Sequence, residues 1–488
     1  MVFPVVGGDG KPTGYEIDNS LRFNDGDSPF LQRAFTGGSR TTYTFSTWVK
    51  RSHLGSNNKT LLDGFKDANN NTLLFFHSTD TLRFFAQSAA TTYVNVRTNQ
   101  VFRDLSAWYH IVLAVDTTQG TETNRVKIYV NGSQVTSFST YSVLENYASF
   151  INDNTRVCTV GAADSSGGEG DFMDGYLAET HFVDGAQKAA SDFGETNDNG
   201  VWIPKDCKAD LTYGTNGFYL EFKQTGTGTA SASTIGADTS GEDNHLTSNN
   251  LAATDVTVDT PTNNFCTLNP LINSNGTYTL SEGNTKFIGD GSNGWNTTTA
   301  TMGFSKGKWY WEQKFTQITG GASFAGLVKD DVDHSDNDIS GQDDNEGVLY
   351  YANAGKYMFG NGGTYESDGE AFGDSFDDGD IISVAADLDN NKMYFAKNGT
   401  YQGSGNPSTG SNGLPISEGS YGLVAGSFTF VFPYAGAFYA SDGCEFNFGN
   451  PSFAISSGNA DANGYGNFEY EVPSGFYSLC TKNLAEYG

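Results

Sequence analysis

Short stretches in which apolar and polar residues alternate recur through the first 200 residues. They include TYTFSTWVKRS, TLLFFHS, TLRFFAQS, TYVNVRT, YHIVLAVD and RVKIYVNGSQV. Alternation with a period of two places successive side chains on opposite faces of a β-strand. The pair Asn131–Gly132 suits a two-residue hairpin turn, because both positions tolerate a positive φ. This regular spacing of strands and turns predicts a sandwich of antiparallel sheets.

A second series of strands follows Leu271, with GKWYWEQKF, SFAGLV, GVLYYAN, GKYMFGN, DIISVAADLDNNKMYFAKNGTYQ, YGLVAGSFTF and CEFNFGN. Between the two series, a stretch rich in Gly, Thr, Ser and Ala has too few apolar residues to form a core of its own. The predicted fold class is therefore all-β, with two antiparallel, jelly-roll-like β-sandwich domains joined by a Gly/Thr/Ser-rich linker. The predicted segments are residues 1–200 (first sandwich), 201–270 (linker, with one strand packing on the first domain), 271–453 (second sandwich) and 454–488 (C-terminal tail).

Charge and cysteine content narrow the classes of function. The chain has 57 acidic and 27 basic residues and a formal net charge of −30. Such a charge repels the phosphates of nucleic acids and anionic membranes, so neither is an expected partner. No apolar run is long enough to cross a bilayer, and the first residues do not have the pattern of a secretory signal. Five scattered cysteines favour neither a disulfide framework nor a zinc site.

Two groups of motifs carry resemblances to known families. Within residues 15–185, the phrases YEIDNSLRFN, DSPFLQRAF, WYHIVLAVD, RVKIYVNGSQV and DGYLAETHFVDG together resemble the concanavalin A-like, laminin-G/pentraxin-type domains of phage and marine viral structural proteins. The downstream phrase DTPTNNFCTLNPL also resembles that viral group. Residues 271–453, with GKWYWE, SFAGLV, GDIISVAADLDNNKMYFAKNG and EFNFGNPSF, resemble a SPRY domain. Both families use a bent β-sandwich mainly for recognition.

One string invites a catalytic interpretation. GGEGDFMDGYLAE contains Glu169, Asp171 and Asp174, which resemble the paired carboxylates of laminarinase-type glycosidases. A retaining glycosidase needs two carboxyl groups about 5–5.5 Å apart. The final Glu of that family pattern is replaced here by Asp174 or Met173, and a turn before an edge strand explains the string equally well. With no nucleophile–base arrangement in the sequence either, we expect no catalytic residues and a protein that is not an enzyme.

An acidic stretch between two predicted SPRY strands could hold a cation. Its carboxylates offer the oxygen ligands that Ca²⁺ requires, although a solvated loop and a direct ligand contact without metal remain alternatives. Laminin-G domains often hold calcium at one rim, and Asp116, Asn131 and Asp164 are available there without a clear ligand pattern. Bound Ca²⁺ is thus the one cofactor considered, with these candidate ligands: Asp330, Asp331, Asp333, Asp336 and Asp338.

Aromatic residues in the second domain suggest a ligand surface. SPRY domains recognise ligands through loops at one end of the sandwich, and exposed rings on such loops could stack on sugars. An equally simple alternative is that these rings bury against another subunit of an oligomer. The candidate ligand-binding residues are Tyr350, Tyr351, Tyr357, Tyr365, Tyr434, Phe438 and Tyr439.

The resemblances imply a structural protein of a bacteriophage virion, in a tail fibre, another tail part, a head fibre or a head decoration. We expect it on the virion exterior, binding a glycan or another component of the host envelope, next to other virion proteins and as a homo-oligomer. The first alternative is a purely structural virion protein that contacts only other subunits. A glycan-degrading enzyme is the second.

Overall fold

The computed structural model describes residues 14–165, 168–289, 294–320, 323–334, 347–352, 355–359, 372–418, 421–423 and 429–488. For some of these residues it describes the backbone but not the side chain: 164, 165, 168, 169, 356–359, 418, 421 and 422. The chain forms two compact units that divide after residue 262. We call them the N-terminal unit and the C-terminal unit. The only α-helix in the described residues, α1 (Thr481–Tyr487), is too short to span a membrane.

The N-terminal unit consists almost entirely of β-strands. In chain order they are β1 (Ser20–Phe23), β2 (Phe30–Ala34), β3 (Thr42–Arg51), β4 (Lys59–Asp67), β5 (Asn70–Phe76), β6 (Thr81–Ser88), β7 (Thr91–Val101), β8 (Trp108–Asp116), β9 (Val126–Val130), β10 (Ser133–Gln134), β11 (Phe138–Val143), β12 (Val157–Val160), β13 (Ala163–Ser165), β14 (Gly168–Gly170), β15 (Gly175–Asp184), β16 (Gly194–Thr196), β17 (Trp202–Pro204), β18 (Phe218–Leu220), β19 (Thr247–Asn249) and β20 (Val256–Thr257).

Two antiparallel sheets of eight strands enclose the core of this unit. The first sheet has the order β10-β9-β8-β3-β15-β1-β20, with β18 also paired to β15, and the second has the order β11-β7-β6-β5-β4-β12-β2-β19. Inward residues of both sheets, such as Phe45, Leu113, Leu74 and Phe84, are completely or almost completely buried. The predicted hairpin joins β9 to β10, with Asn131 at φ 45° and Gly132 at φ 80°.

The segment predicted as a linker is part of the N-terminal unit, and the predicted boundary at residue 200 is therefore misplaced. Strands β18 and β20 are part of the first large sheet, and β19 is part of the second. Ile235, within the Gly/Thr/Ser-rich stretch, and Leu246, directly after it, are 1% exposed in the core. These few apolar residues need no core of their own, because the two sheets already supply one.

The C-terminal unit continues the chain with sixteen further strands in its described residues. They are β21 (Tyr278–Ser281), β22 (Lys286–Gly289), β23 (Asn296–Thr299), β24 (Lys308–Gln317), β25 (Phe324–Lys329), β26 (Gly347–Tyr351), β27 (Lys356–Phe359), β28 (Ile381–Asp387), β29 (Lys392–Lys397), β30 (Thr400–Tyr401), β31 (Leu414–Pro415), β32 (Ser417–Glu418), β33 (Tyr421–Gly422), β34 (Val431–Ala437), β35 (Gly443–Asn447) and β36 (Tyr477–Ser478).

A nine-stranded and a five-stranded sheet form the second sandwich. The larger sheet has the order β21-β22-β35-β24-β28-β29-β30, with β31 and β36 attached, and the smaller has the order β23-β34-β25-β26-β27. Trp309 and Trp311 of β24 are completely buried in its core, as their alternation with Tyr310 predicts. The all-β, two-sandwich fold class is thus confirmed.

The last 35 residues are not a separate tail but part of the C-terminal unit. Strand β36 pairs in parallel with β24, and Phe468 and Phe476 are buried against Tyr310 and Tyr394. The carboxylate of Glu312, itself completely buried, accepts hydrogen bonds from the backbone N–H groups of residues 469 and 470 at 3.0 and 2.8 Å. This segment has no strand periodicity, and the carboxylate of Glu312 and the buried rings of Phe468 and Phe476 hold it in place.

All five cysteines are described and buried, and none of them forms a disulfide. Cys158 and Cys207 belong to the N-terminal unit, and Cys266, Cys444 and Cys480 belong to the C-terminal unit. Burial raises the pKa of the Cys444 thiol to about 12 and that of Cys480 to about 11.

Candidate functional site

The outward face of the second sheet carries apolar residues where alternation predicts polar ones. On β5, Leu74 and Phe76 point into the core, so Leu73 and Phe75 point outward. On β6, the same argument turns Phe85 outward. An outward face that carries large apolar rings is an unusual surface for a sandwich sheet and marks a candidate site for binding.

These residues line a cleft with a volume of about 430 Å³. We call it the second-sheet cleft. Ala163, Gly170 and Asp171 supply one side, and the strands β4, β5 and β6 supply most of the rest, with Asn58 before β4 and Ala68 after it. Its lining residues are Asn58, Phe65, Ala68, Asn71, Leu73, Phe75, Arg83, Phe85, Ala163, Gly170 and Asp171.

Arg83 lies between two of the rings. Its guanidinium carbon is 4.5 Å from the ring centre of Phe85 and 5.9 Å from that of Phe75. Its Nε donates a hydrogen bond of 3.0 Å to Oδ1 of Asn95 on the neighbouring strand β7. Burial, and then the positive charge of Arg97, lower the pKa of Arg83. The packing fixes the orientation of a planar cation that would otherwise be mobile.

Amide and carboxylate groups complete the lining. Nδ2 of Asn58 donates to Oδ2 of Asp171 over 3.1 Å, and Asp171 is exposed. Asn71 is 7% exposed, and its Oδ1 has no hydrogen-bond partner among the described residues. Oriented donors and acceptors beside half-buried rings such as Phe65 and Phe85 form a surface on which a sugar ring can stack while its hydroxyls are hydrogen-bonded.

The sequence itself contains a signal for this cleft, in the pattern of β5 and β6. In TLLFFHS both strand faces are apolar, and in TLRFFAQS the outward face carries Phe85 beside polar residues, whereas a strand with one face toward solvent alternates. The doubly apolar pattern indicates that the outer face is also covered or binds something. It does not show which residues outside the two strands complete the cleft, because Asn58 and Asp171 come from turns that are distant in sequence.

The predicted ligand rings of the C-terminal unit do not all lie on exposed loops. Tyr350 and Tyr434 are completely buried on strands β26 and β34, so the expectation of exposed loop rings is wrong for these two. Tyr350 packs inward on Phe376 at 5.2 Å between ring centres. The alternating phase of a strand, which short Tyr-rich runs obscure, sends such a ring to the core.

Four of the seven predicted rings come together in one aromatic cluster. Tyr351 stacks on Phe324 at 4.9 Å, Phe438 packs on Trp295 at 5.2 Å, and Tyr434 and Tyr439 belong to the same cluster. Tyr351, Phe438 and Tyr439 are half-buried and stay candidates for ligand contact. Of the other predicted rings, the side chain of Tyr357 and all of Tyr365 lie outside the described residues.

The predicted calcium ligands are only partly described. Asp330 accepts hydrogen bonds of 3.3–3.4 Å from the backbone N–H groups of residues 429 and 430. Asp331 pairs with Lys329 at 3.3 Å. Asp336 and Asp338 lie outside the described residues. Within the part of the chain that the structure describes, no group of three His, Cys, Asp or Glu residues could hold a metal ion, so a calcium site in this loop stays a prediction.

The carboxylate string near Glu169 separates into different environments. Met173, one of the two residues that can match the final Glu of the glycosidase pattern, is completely buried in the core. Asp171 lines the cleft, and the backbone carbonyl of Asp174 accepts a hydrogen bond of 3.1 Å from Ser52. The side chain of Glu169 lies outside the described residues.

A second group of reactive side chains lies inside the N-terminal unit. Nε2 of His181 is 3.6 Å from Oε2 of Glu179 and 3.9 Å from Sγ of Cys207. Tyr219 stacks on the imidazole at 4.2 Å and donates a hydrogen bond of 2.5 Å to Glu179. His181 and Cys207 are each 2% exposed. No substrate can reach them in this conformation, so the group is part of the core rather than a nucleophilic site.

Comparisons with known families agree with this division into two units. Residues 24–191 match the family model described as "Concanavalin A-like lectin/glucanases superfamily". Residues 308–451 match the model of the SPRY domain. The chain therefore contains an N-terminal concanavalin A-like domain and a C-terminal SPRY domain, as the motifs predict. No curated protein matches the chain in sequence.

Solved structures resemble parts of the chain only distantly. A native SAP-like pentraxin from Limulus polyphemus has 19% identity and a TM-score of 0.27, over 36% of this chain and 80% of that chain. A human SPRY domain has 19% identity and a TM-score of 0.24, over 35% of this chain and 94% of that chain. A putative carbohydrate binding protein from Bacteroides ovatus has 14% identity and a TM-score of 0.30, over 48% of this chain and 58% of that chain.

Proposed function

We propose that this chain is a non-enzymatic recognition protein that binds glycan through the second-sheet cleft. The observation that carries the proposal is the cleft itself: outward rings on β5 and β6 lie beside oriented amide, guanidinium and carboxylate groups. Ligand sites in proteins combine apolar and aromatic walls with a few fixed polar groups in this way. The concanavalin A-like domain and the SPRY domain are both consistent with binding.

We further propose that the protein acts on the exterior of a bacteriophage virion and contacts a glycan or another component of the host envelope. The resemblance of residues 15–185 and of the phrase DTPTNNFCTLNPL to viral structural proteins supports this part. Immunogold labelling of intact particles with an antibody to the protein would test it directly. Labelling of the particle surface is expected, and labelling only after disruption of the particles would contradict an exterior position.

A binding experiment tests the cleft. The whole protein is applied to an array of bacterial, algal and plant polysaccharides, in the presence of calcium and of a chelator. We expect saturable binding to at least one polysaccharide, and we expect Phe85→Ala to weaken it about tenfold because the stacking surface is lost.

Phe138→Ala is the matched control, because Phe138 is a half-buried ring on β11 of the same sheet that does not line the cleft. Its affinity should stay within about twofold of the native value, a change too small to be a lost stacking contact. Equal losses in both variants, or no binding to any polysaccharide or host cell, would contradict the proposal and favour a purely structural protein. Release of reducing sugars during the assay would contradict the non-enzymatic role.

A further inference from the structure

The cleft contains a cation that the fold does not neutralise. Arg83 forms no salt bridge with any described carboxylate, and only its Nε has a hydrogen-bond partner among the described residues. The chain has 57 acidic and only 27 basic residues, so carboxylate partners are abundant elsewhere. The two terminal nitrogens of Arg83 therefore form a free fork, whose geometry fits two oxygens of one anion.

A second arginine beside Arg83 makes its unpaired charge still less favourable. Arg97 on β7 is the direct cross-strand partner of Arg83, and like charges in that position destabilise a sheet. Arg97 also lacks a salt bridge to a described carboxylate. Its donors go to neutral groups: Thr81 at 2.9 Å, Nδ1 of His77 at 3.2 Å and the hydroxyl of Thr79. Two adjacent cations without an anion in a strongly acidic protein indicate that a ligand supplies the negative charge.

The nearest acidic group of the cleft does not supply it. Asp171 lines the same cleft but accepts its hydrogen bond from Asn58, and no ion pair joins it to Arg83. Asn71 is only 7% exposed, and its Oδ1, which has no hydrogen-bond partner among the described residues, adds a further acceptor to the lining. The cleft thus has a cationic part at Arg83 and a part with acceptors at Asp171 and Asn71.

We infer that the ligand of the second-sheet cleft is an acidic polysaccharide, with a sugar carboxylate or sulfate bound by Arg83 and a sugar ring stacked on Phe85. The inference rests on the proposed glycan-binding function and specifies its ligand class. The acceptors Asp171 and Asn71 suit the hydroxyl groups of the same or the next sugar. A nucleic acid would also bring anions. The net charge of −30 opposes every polyanion at long range, so the choice of a polysaccharide rests on the acceptors Asp171 and Asn71, which suit sugar hydroxyls, and a DNA probe tests it.

Calorimetric titration of the whole protein tests the inference with four probes: polygalacturonate for carboxylate, dextran sulfate for sulfate, dextran as the neutral control, and a single-stranded DNA oligonucleotide. At least one acidic polysaccharide should bind more tightly than dextran. Arg83→Gln should weaken that binding about tenfold or more, because a charge-assisted pair is lost. Arg83→Lys, which keeps the charge but not the planar fork, should fall between the native protein and Arg83→Gln.

Arg103→Gln is the matched control, because it removes the same charge from an arginine that is 60% exposed and paired with Asp80. Its affinity should stay close to the native value. Equal affinities of Arg83→Gln and Arg103→Gln, or binding of DNA as tight as that of the polysaccharide, would overturn the inference. Phe85-dependent binding of dextran alone would overturn it while the glycan-binding proposal stands, and binding of no polysaccharide would remove both. Should Arg83→Gln not fold, Arg83→Lys decides between the same outcomes.

Discussion

His181 shows how a buried side chain can keep a charge. Burial opposes the charged imidazole, but the contacts with Cys207 and Glu179 outweigh it and raise the pKa of His181 to about 9. Nδ1 of the same ring lies 3.0 Å from the hydroxyl of Tyr213. The charged form is thus held on both ring nitrogens, in the middle of the N-terminal unit.

This gives a pH dependence with a definite sign. Between pH 6.5, the ordinary pKa, and about 9, only the folded state holds the proton, so the free energy of unfolding falls as pH rises. The upper bound of the loss is on the order of 3 kcal/mol. Hydrogen exchange of the β15 amides at several pH values measures it. His181→Gln should remove most of this pH dependence, and an equal slope in both proteins would contradict the assignment.

The candidate site shows which residue properties the sequence reveals. Trp309 and Trp311 are recognisable as core residues because they alternate on one strand. Tyr434 was expected on a loop, since a run such as VFPYAGAFY has no clear polar phase to show which ring faces inward. Arg83 could not be recognised at all, because the absence of a carboxylate partner is a property of the folded sheet.

At the scale of elements, the predicted hairpins were more accurate than the predicted boundaries. The predicted Asn131–Gly132 turn joins β9 to β10, and the Asn398–Gly399 pair joins β29 to β30 in the same way, with φ values of 46° and 80°, because such a turn is determined by two adjacent residues. The segment after residue 200 depends instead on long-range contacts. Lys50 of β3 is bound by Asp259 at 2.8 Å, and no local pattern indicates this pair.

The Lys50–Asp259 pair attaches the end of the segment that was predicted as a linker to the first sheet. Both side chains are almost completely buried, and Asp259 also accepts a hydrogen bond of 3.3 Å from the indole of Trp108. Asp259→Asn keeps the shape but removes the negative charge that Asp259 places beside the ammonium group of Lys50. We expect a loss of about 3–5 kcal/mol of unfolding free energy, measured by urea denaturation.

Asp18→Asn provides the control for this element. Asp18 pairs with Lys223 at 3.8 Å, but the two side chains are 69% and 47% exposed. Solvent screens such a pair, so the expected change is about 0–1 kcal/mol. Similar losses in the two variants would show that the buried pair does not fasten the segment.

The net charge of −30 acts on the whole molecule. At neutral pH, mutual repulsion keeps copies of the chain apart. As the pH falls toward the isoelectric point of about 4.3, carboxylates gain protons and the repulsion disappears. We expect turbidity to be greatest near that pH, and light scattering between pH 3 and 8 measures it. A maximum near neutrality would instead point to association through apolar surface such as the aromatic cluster of the C-terminal unit.

The buried cysteines provide each unit with its own chemical probe of opening. A thiol that is enclosed in the core reacts with an alkylating agent only when the structure around it opens. Cys158 and Cys207 therefore record the opening of one sandwich, and Cys266, Cys444 and Cys480 record that of the other. The protein therefore needs no added label. The order in which the five thiols are alkylated during gradual denaturation shows which sandwich opens first.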